Sequence, residues 1–89
     1  MPFFTYIIQS ETDQSYYIGS CEDIPLRLQR HNEGWSRYTK RKIPWKLVYS
    51  ESFNTKSEAI KRELEIKRMK SREYILRLIR HAGGRPDGH

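Results

Sequence analysis

The chain has 89 residues, room for one small domain that buries only about 60% of the surface its unfolded form exposes. At 36% hydrophobic and 31% charged, with eleven aromatics, it is too apolar for a disordered chain, and its single cysteine excludes an internal disulfide or a cysteine-rich zinc cluster. Seventeen Lys and Arg against eleven Asp and Glu leave a formal charge of +6, which favours a polyanionic partner such as nucleic acid over a merely soluble basic surface.

The N-terminal "MPFFTYIIQS" carries no basic residue ahead of its apolar run, and that run is too short for a signal peptide or a membrane span. A reducing cytoplasm is the expected location, and no membrane contact is expected. Phe3 to Gln9 and Ser15 to Ser20 are rich in aromatic and β-branched residues around the turn-forming "SETDQS", which predicts a β-hairpin. Alternation places Phe4, Tyr6 and Ile8 on one face of the first strand, and Tyr17 opposite Tyr16 and Ile18 on the second. Asp23 can then cap a helix with Pro25 in its first turn, and Gly34 supplies the stop.

Charge is distributed unevenly. Residues 1–23 hold four acids and no Lys or Arg, whereas Trp35 to Lys46 holds Arg37, Lys40, Arg41, Lys42 and Lys46 and no carboxylate. Beyond this basic connector, "WKLVYSESF" alternates Trp45, Leu47, Tyr49 and Phe53 with mostly polar residues, as a half-buried third strand does. "TKSE" at Thr55 to Glu58 is a capping box that opens a helix running to about Lys70. Ser71 can cap a last helix ending near His81, with Gly83 and Gly84 closing it. The predicted order is ββαβαα, an α+β domain over residues 1–82 with a frayed, flexible tail at 83–89.

Two helices carry polar residues beside their apolar stripes. In the helix after Thr55, Ala59, Ile60, Leu64 and Ile66 share a broad side, and Glu63 falls inside that arc while Glu58 and Glu65 point away. A carboxylate facing a sheet requires a cation. Either Lys67, at i+4, or a bound metal would serve. On the earlier helix Ile24 and Leu28 mark the apolar stripe, and Arg27 and His31 form an i, i+4 pair at its border, with Arg30 pointing elsewhere.

Taken in order, these residues resemble the GIY-YIG nuclease family. Tyr17-Ile18-Gly19 matches the "YIG" half of its motif, and Phe4-Thr5-Tyr6 keeps only the tyrosine of the "GIY" half. "LRLQRHN" brings Arg27 to the family arginine and His31 to a histidine found in many members, and "EAIKRELEIK" brings Glu63 to the single metal-binding glutamate. The chain is similar to small stand-alone bacterial members that resemble the N-terminal nuclease domain of the excision-repair endonuclease, which also carry a segment like "RYTKRKIPWKLVYSE". The resemblance implies a small, mainly antiparallel three-stranded sheet flanked by helices.

It also implies chemistry. One divalent ion, Mg²⁺ or Mn²⁺, would bind Glu63, in keeping with magnesium's acceptance of one or two carboxylates plus water. Arg27 would clamp the scissile phosphate through its planar fork. Tyr6 would accept the proton of the attacking water, a role that needs a phenol pKa below its usual value near 10. His31 would receive or relay that proton and Tyr17 would position water and phosphate, the division of labour between the tyrosines staying open. Gly19 would let the backbone approach the neighbouring helix. Arg37, Tyr38, Lys40, Arg41 and Lys42 would follow a nucleic-acid backbone, with Trp35 and Tyr38 available to stack on an unpaired base.

The expectation is thus a metal-dependent endonuclease acting on DNA, directed by substrate structure or damage rather than by sequence, as in DNA repair. A catalytically silent nucleic-acid binding module, a protein-interaction domain and an RNA-directed nuclease are the alternatives.

Overall fold

The computed structural model describes residues 2–83. Strands Phe3–Ser10 (β1) and Tyr16–Cys21 (β2) form the expected hairpin, and helix Ile24–Asn32 (α1) follows. A 3-10 turn at Lys40–Lys42 interrupts the basic connector before Trp45–Phe53 (β3), Lys56–Met69 (α2) and Arg72–Gly83 (α3). The order is ββαβαα, and the sheet is antiparallel with β1 at its centre, between β2 and β3. The fold is α+β.

The ends of the helices follow local sequence. Asp23 accepts a hydrogen bond from the Leu26 N–H at 3.0 Å, with Pro25 in the first turn. Gly34, at φ +85°, ends the α1 segment and donates its N–H to the His31 carbonyl. Thr55 and Glu58 form the reciprocal capping box at the start of α2. Ser71 accepts from the Tyr74 N–H at 3.1 Å. The last helix continues to Gly83 rather than stopping near His81. Apart from Gly83, the expected tail, with Gly84, lies outside the described residues.

Because side chains alternate along β1, consecutive residues serve different layers. Tyr6 and Ile8 pack with Trp45, Tyr17, Cys21, Ile24, Leu28 and Ile43 on the α1 side. Ile7 packs with Ile66 and Ile75, and with Tyr16, Ile18, Tyr49 and Tyr74, on the side of α2 and α3. The buried Thr5 hydroxyl, on this second side, donates to the Ala59 carbonyl at 2.7 Å and ties α2 to the central strand.

Two packing expectations are corrected. Ile7 lies opposite Tyr49 and Ile8 opposite Leu47, so Val48 is an extra residue in β3. This bulge switches the strand's faces: Trp45 enters the α1 layer and Tyr49 the α2 layer, where uninterrupted alternation put both on one side. In α2 the sheet-facing residues are Ala59 and Ile66, with Ile60 36% and Leu64 49% exposed. The stripe is therefore narrower than the periodicity implied, and Glu63, between Ala59 and Ile66, sits on it with its side chain 17% exposed.

Polar ties join the outer elements. Arg62 on α2 bonds Glu51 of β3 at 3.0 Å, Glu65 at 3.3 Å and the Tyr74 hydroxyl of α3 at 3.1 Å, and Tyr49 donates to the same Glu51 carboxylate. Burial, helped by the Glu51 charge, pushes the Tyr49 phenol up to about 12. Arg62→Met is expected to leave Glu51 without its cation and to cost about 2 kcal/mol, which a melting curve reads as a fall of roughly 10 °C in Tm for a domain of this size.

On the other side, neutral hydrogen bonds clamp the basic connector. The Ser10 and Thr12 hydroxyls donate to the Lys42 carbonyl at 2.7 and 3.0 Å. The Trp45 indole N–H donates to the Thr39 carbonyl at 2.8 Å, and the Asn32 side chain bonds both backbone groups of Trp45.

Candidate active site

Tyr6 sits on the central strand directly opposite Gly19 of β2. Its ring lies over that glycine: a Cβ there would come 2.6 Å from the phenol oxygen and 2.7 Å from Cζ. Gly19 is thus needed for the phenol that crosses it, a correction to its expected role in helix approach. Tyr17 projects from the same face, its ring centroid 6.4 Å from that of Tyr6 and 5.0 Å, edge-on, from that of His31. His31 reaches this cluster from α1, where Arg27 lies one turn earlier.

His31 is 3% exposed, buried rather than at the surface. Its Nε2 lies 2.9 Å from the Tyr6 hydroxyl and its Nδ1 2.9 Å from the Thr39 hydroxyl. Burial, with the Arg27 charge adding, lowers its pKa below the usual 6.5, so the ring is neutral at pH 7. Burial also pushes the Tyr6 phenol up to about 12, against the hydrogen bonding and charge of Arg27, which pull it down. The lowered phenol expected for a base acting alone is therefore not what this environment produces. Tyr6 keeps its proton, and since Arg27 offers only donors, Nε2 of His31 is the hydrogen-bonding neighbour among the described residues that can accept it.

Two clefts meet at Arg27 and Arg30. The smaller, of about 270 Å³, is lined by Tyr17, Arg27, Arg30, His31, Trp35 and Ser36. The larger, of about 600 Å³, runs from Arg27 and Arg30 past Ser20 and Cys21 to Lys56 and Ala59 of α2. The titratable aromatics Tyr17 and His31 face the smaller. Arg30 was expected to point elsewhere; its guanidinium instead folds over the Trp35 ring, 5.0 Å from the centroid, and walls both clefts.

The expected meeting of five side chains is met by four. Tyr6, Tyr17, Arg27 and His31 come together, while Glu63 is not among the residues lining either cleft and lies one turn beyond Ala59, which lines the larger. Its Oε2 accepts from Lys67 Nζ at 2.6 Å, the i+4 ion pair that was one of the two partners open to it. Among the described residues no cluster of three or more His, Cys, Asp or Glu is placed to hold a metal. One carboxylate still suits hydrated magnesium. The Glu63 Oε1 makes no hydrogen bond among the described residues, and Lys67, 46% exposed, is a weakly held partner that a dication can replace.

In the basic connector Arg37, Tyr38, Lys40 and Arg41 are exposed, Tyr38 by 85%. Lys42 differs: its Nζ pairs with Asp13 at 3.2 Å and bonds the Ser15 hydroxyl, tying the connector to the hairpin tip. Its charge is shared with Asp13 in a pair exposed on both sides. Trp35 is 69% exposed, with its indole N–H on Glu33 at 3.1 Å. Thr39, fully buried against His31, escaped the sequence reading because it stands inside a run of cations that reads as solvated loop.

The family model of the GIY-YIG catalytic domain matches residues 2–75. The chain belongs to the GIY-YIG family. UPF0213 proteins from Staphylococcus aureus strains Mu3 and N315 are each 46% identical over 78 residues, covering 86% of this chain and 93% of theirs. The solution structure of a UPF0213 protein from Bacillus halodurans is similar with a TM-score of 0.60 and 33% identity, covering 94% of this chain and 88% of that one. The names of these relatives specify no activity. This GIY-YIG domain thus carries the fold of a nuclease family, for which nucleic acid is the implied partner. No helix among its described residues is long and apolar enough to cross a membrane.

The buried histidine of this GIY-YIG domain has a pH signature. Its folded pKa lies below the unfolded 6.5, so the unfolded chain binds more protons once the pH falls under that value. Melting temperature is expected to fall as pH drops from 7.5 toward 5, more steeply for wild type than for His31→Gln. Equal slopes in the two proteins would contradict it.

Proposed function

We propose that this chain is a metal-dependent endonuclease that hydrolyses DNA phosphodiester bonds, directed by substrate structure or damage rather than by sequence. The observation that carries the reading is the open cleft in which Arg27, Tyr17 and His31 share a wall, with the Tyr6 hydroxyl bonded to His31 behind them. Such hydrolysis needs a deprotonated water, neutralisation of charge growing on the phosphate, and help for the leaving oxygen.

Arg27 clamps the scissile phosphate, turning from the Tyr6 hydroxyl to do so, which opens that hydroxyl to water. As the attacking water passes a proton to the Tyr6 oxygen, Tyr6 passes its own to Nε2 of His31. The oxygen–hydrogen bond of water breaks as its oxygen bonds to phosphorus, the bond from phosphorus to the leaving oxygen breaks, that oxygen takes a proton from solvent, and His31 ends as imidazolium. A high phenol pKa is no obstacle to this paired transfer, because no free phenolate has to accumulate. Tyr17 orients the water and phosphate from the cleft wall. Glu63 would hold one Mg²⁺ or Mn²⁺ in exchange for Lys67, and that ion would neutralise charge on the phosphate and leaving oxygen. The exposed Arg37, Tyr38, Lys40 and Arg41 would track the backbone, and Trp35 is placed to stack on an unpaired base at the cleft mouth.

The Glu63–Lys67 pair favours a second reading, a nucleic-acid binding module whose carboxylate is already satisfied. One assay separates the two: nicked, flapped, branched and plain duplex DNA, with an RNA arm, incubated with Mg²⁺ or Mn²⁺ and wild type, Glu63→Ala or Arg27→Ala. Cleavage by wild type alone supports the nuclease. Salt-sensitive binding that is indifferent to the metal and to Glu63→Ala supports the module.

A further inference from the structure

We infer that Thr39 is a positioning residue that fixes the tautomer of His31. The inference rests on the proposed nuclease reading for its catalytic consequence and on geometry for its placement. Thr39 stands at the N-cap of the 3-10 turn Lys40–Lys42, where a threonine hydroxyl ordinarily accepts a hydrogen bond from that turn's own N–H groups. Here it makes no such cap bond. The hydroxyl lies instead 2.9 Å from Nδ1 of His31, in a residue that is 0% exposed. The Trp45 indole holds the Thr39 carbonyl and the Ser36 carbonyl accepts its N–H, so the residue is braced from both sides while its side chain faces the imidazole.

A neutral imidazole carries one proton, and the hydrogen bond at one nitrogen decides the state of the other. With the Tyr6 hydroxyl donating to Nε2, as the proposed proton path requires, the ring's own proton lies on Nδ1 and is donated to Thr39 Oγ1. Without that oxygen the Nδ1–H would be buried and unpaired, and the ring would gain by moving its proton to Nε2, where it faces the Tyr6 oxygen. His31 could then no longer receive a proton from Tyr6. Thr39 touches neither phosphate nor water and acts through the ring alone.

The test uses the full chain, with ¹⁵N-labelled histidine to read the protonated nitrogen of His31 and steady-state cleavage of a DNA substrate. Wild type and Thr39→Ser are expected to carry the proton on Nδ1. Thr39→Val, or Thr39→Ala should valine disturb the packing, is expected to move it toward Nε2 and to lower kcat by roughly 10- to 100-fold with KM within about twofold. Recovery of both properties in Thr39→Ser assigns the effect to the hydroxyl. An unchanged tautomer in the valine and alanine variants overturns the proposal, whether or not kcat falls, since a loss of rate alone would then reflect packing. A displaced proton with unchanged kcat overturns the catalytic part. Absence of cleavage by wild type would sink the nuclease reading while the nitrogen spectra still decide where Thr39 holds the ring.

Discussion

Glu63→Gln and Arg27→Ala are each expected to lower phosphodiester cleavage by about 10²- to 10³-fold while leaving the fold intact. The two act on different charges. Glutamine at position 63 keeps the shape of the side chain and removes the charge that would hold a dication, and the Lys67 pair it gives up is exposed enough on the lysine side to matter little for stability. Arg27 is an exposed residue of α1, so its loss removes the proposed phosphate clamp without opening the core. Arg27→Lys is the informative companion: it keeps the charge but loses the planar two-donor fork, and should recover only a small part of the rate. Measured Tm values close to wild type are part of the expectation. Full cleavage by Glu63→Gln in Mg²⁺ would remove the carboxylate from the mechanism.

The second large effect is expected at Gly19. An alanine there would place its Cβ 2.6 Å from the Tyr6 oxygen, 2.7 Å from Cζ and 3.1 Å from Cε2. All three contacts fall on one stiff, buried ring, so relief requires the phenol to swing off the strand and away from His31. Gly19→Ala should therefore cost about 1–3 kcal/mol, as overpacked sites do, and should also abolish the 2.9 Å hydrogen bond on which the proton path depends. Cleavage is expected to fall about 10²-fold, the scale of a lost acid–base step. In a Tyr6→Ala background the same substitution has nothing to strike, and the added cost should shrink to a few tenths of a kcal/mol. Equal costs in both backgrounds would show that the contact is not the cause.

Much of this architecture could be read from local chemistry. The hairpin, the Asp23 and Thr55 caps and the Gly34 stop depend on neighbours a few residues away, so short stretches of sequence specify them. Arg27 and His31 were legible as an i, i+4 pair, and Glu63 as a carboxylate in need of a cation. What escaped depends on which surface lies opposite. The Val48 bulge arises from pairing between β1 and β3, and alternation along β3 alone gives no sign of it. The need for Gly19 is set by a ring from another strand, the place of Arg30 by the Trp35 it folds over, and the burial of Thr39 by Trp45 and His31. The convergence of Glu63 with the tyrosines was inferred from likeness, and the larger cleft runs from Arg27 to Ala59, one turn short of Glu63.

Apart from the Lys42–Asp13 pair, the clamps described on the basic connector are uncharged. Hydroxyls of Ser10 and Thr12 on the Lys42 carbonyl, the indole of Trp45 on the Thr39 carbonyl, and the Asn32 amide on Trp45 set its path without using its cations. Ionic strength weakens contacts between charges and leaves neutral bonds of this kind nearly untouched. Added electrolyte should thus strip a polyanion from the segment while the segment keeps its contour, presenting the same rail to the next strand that arrives.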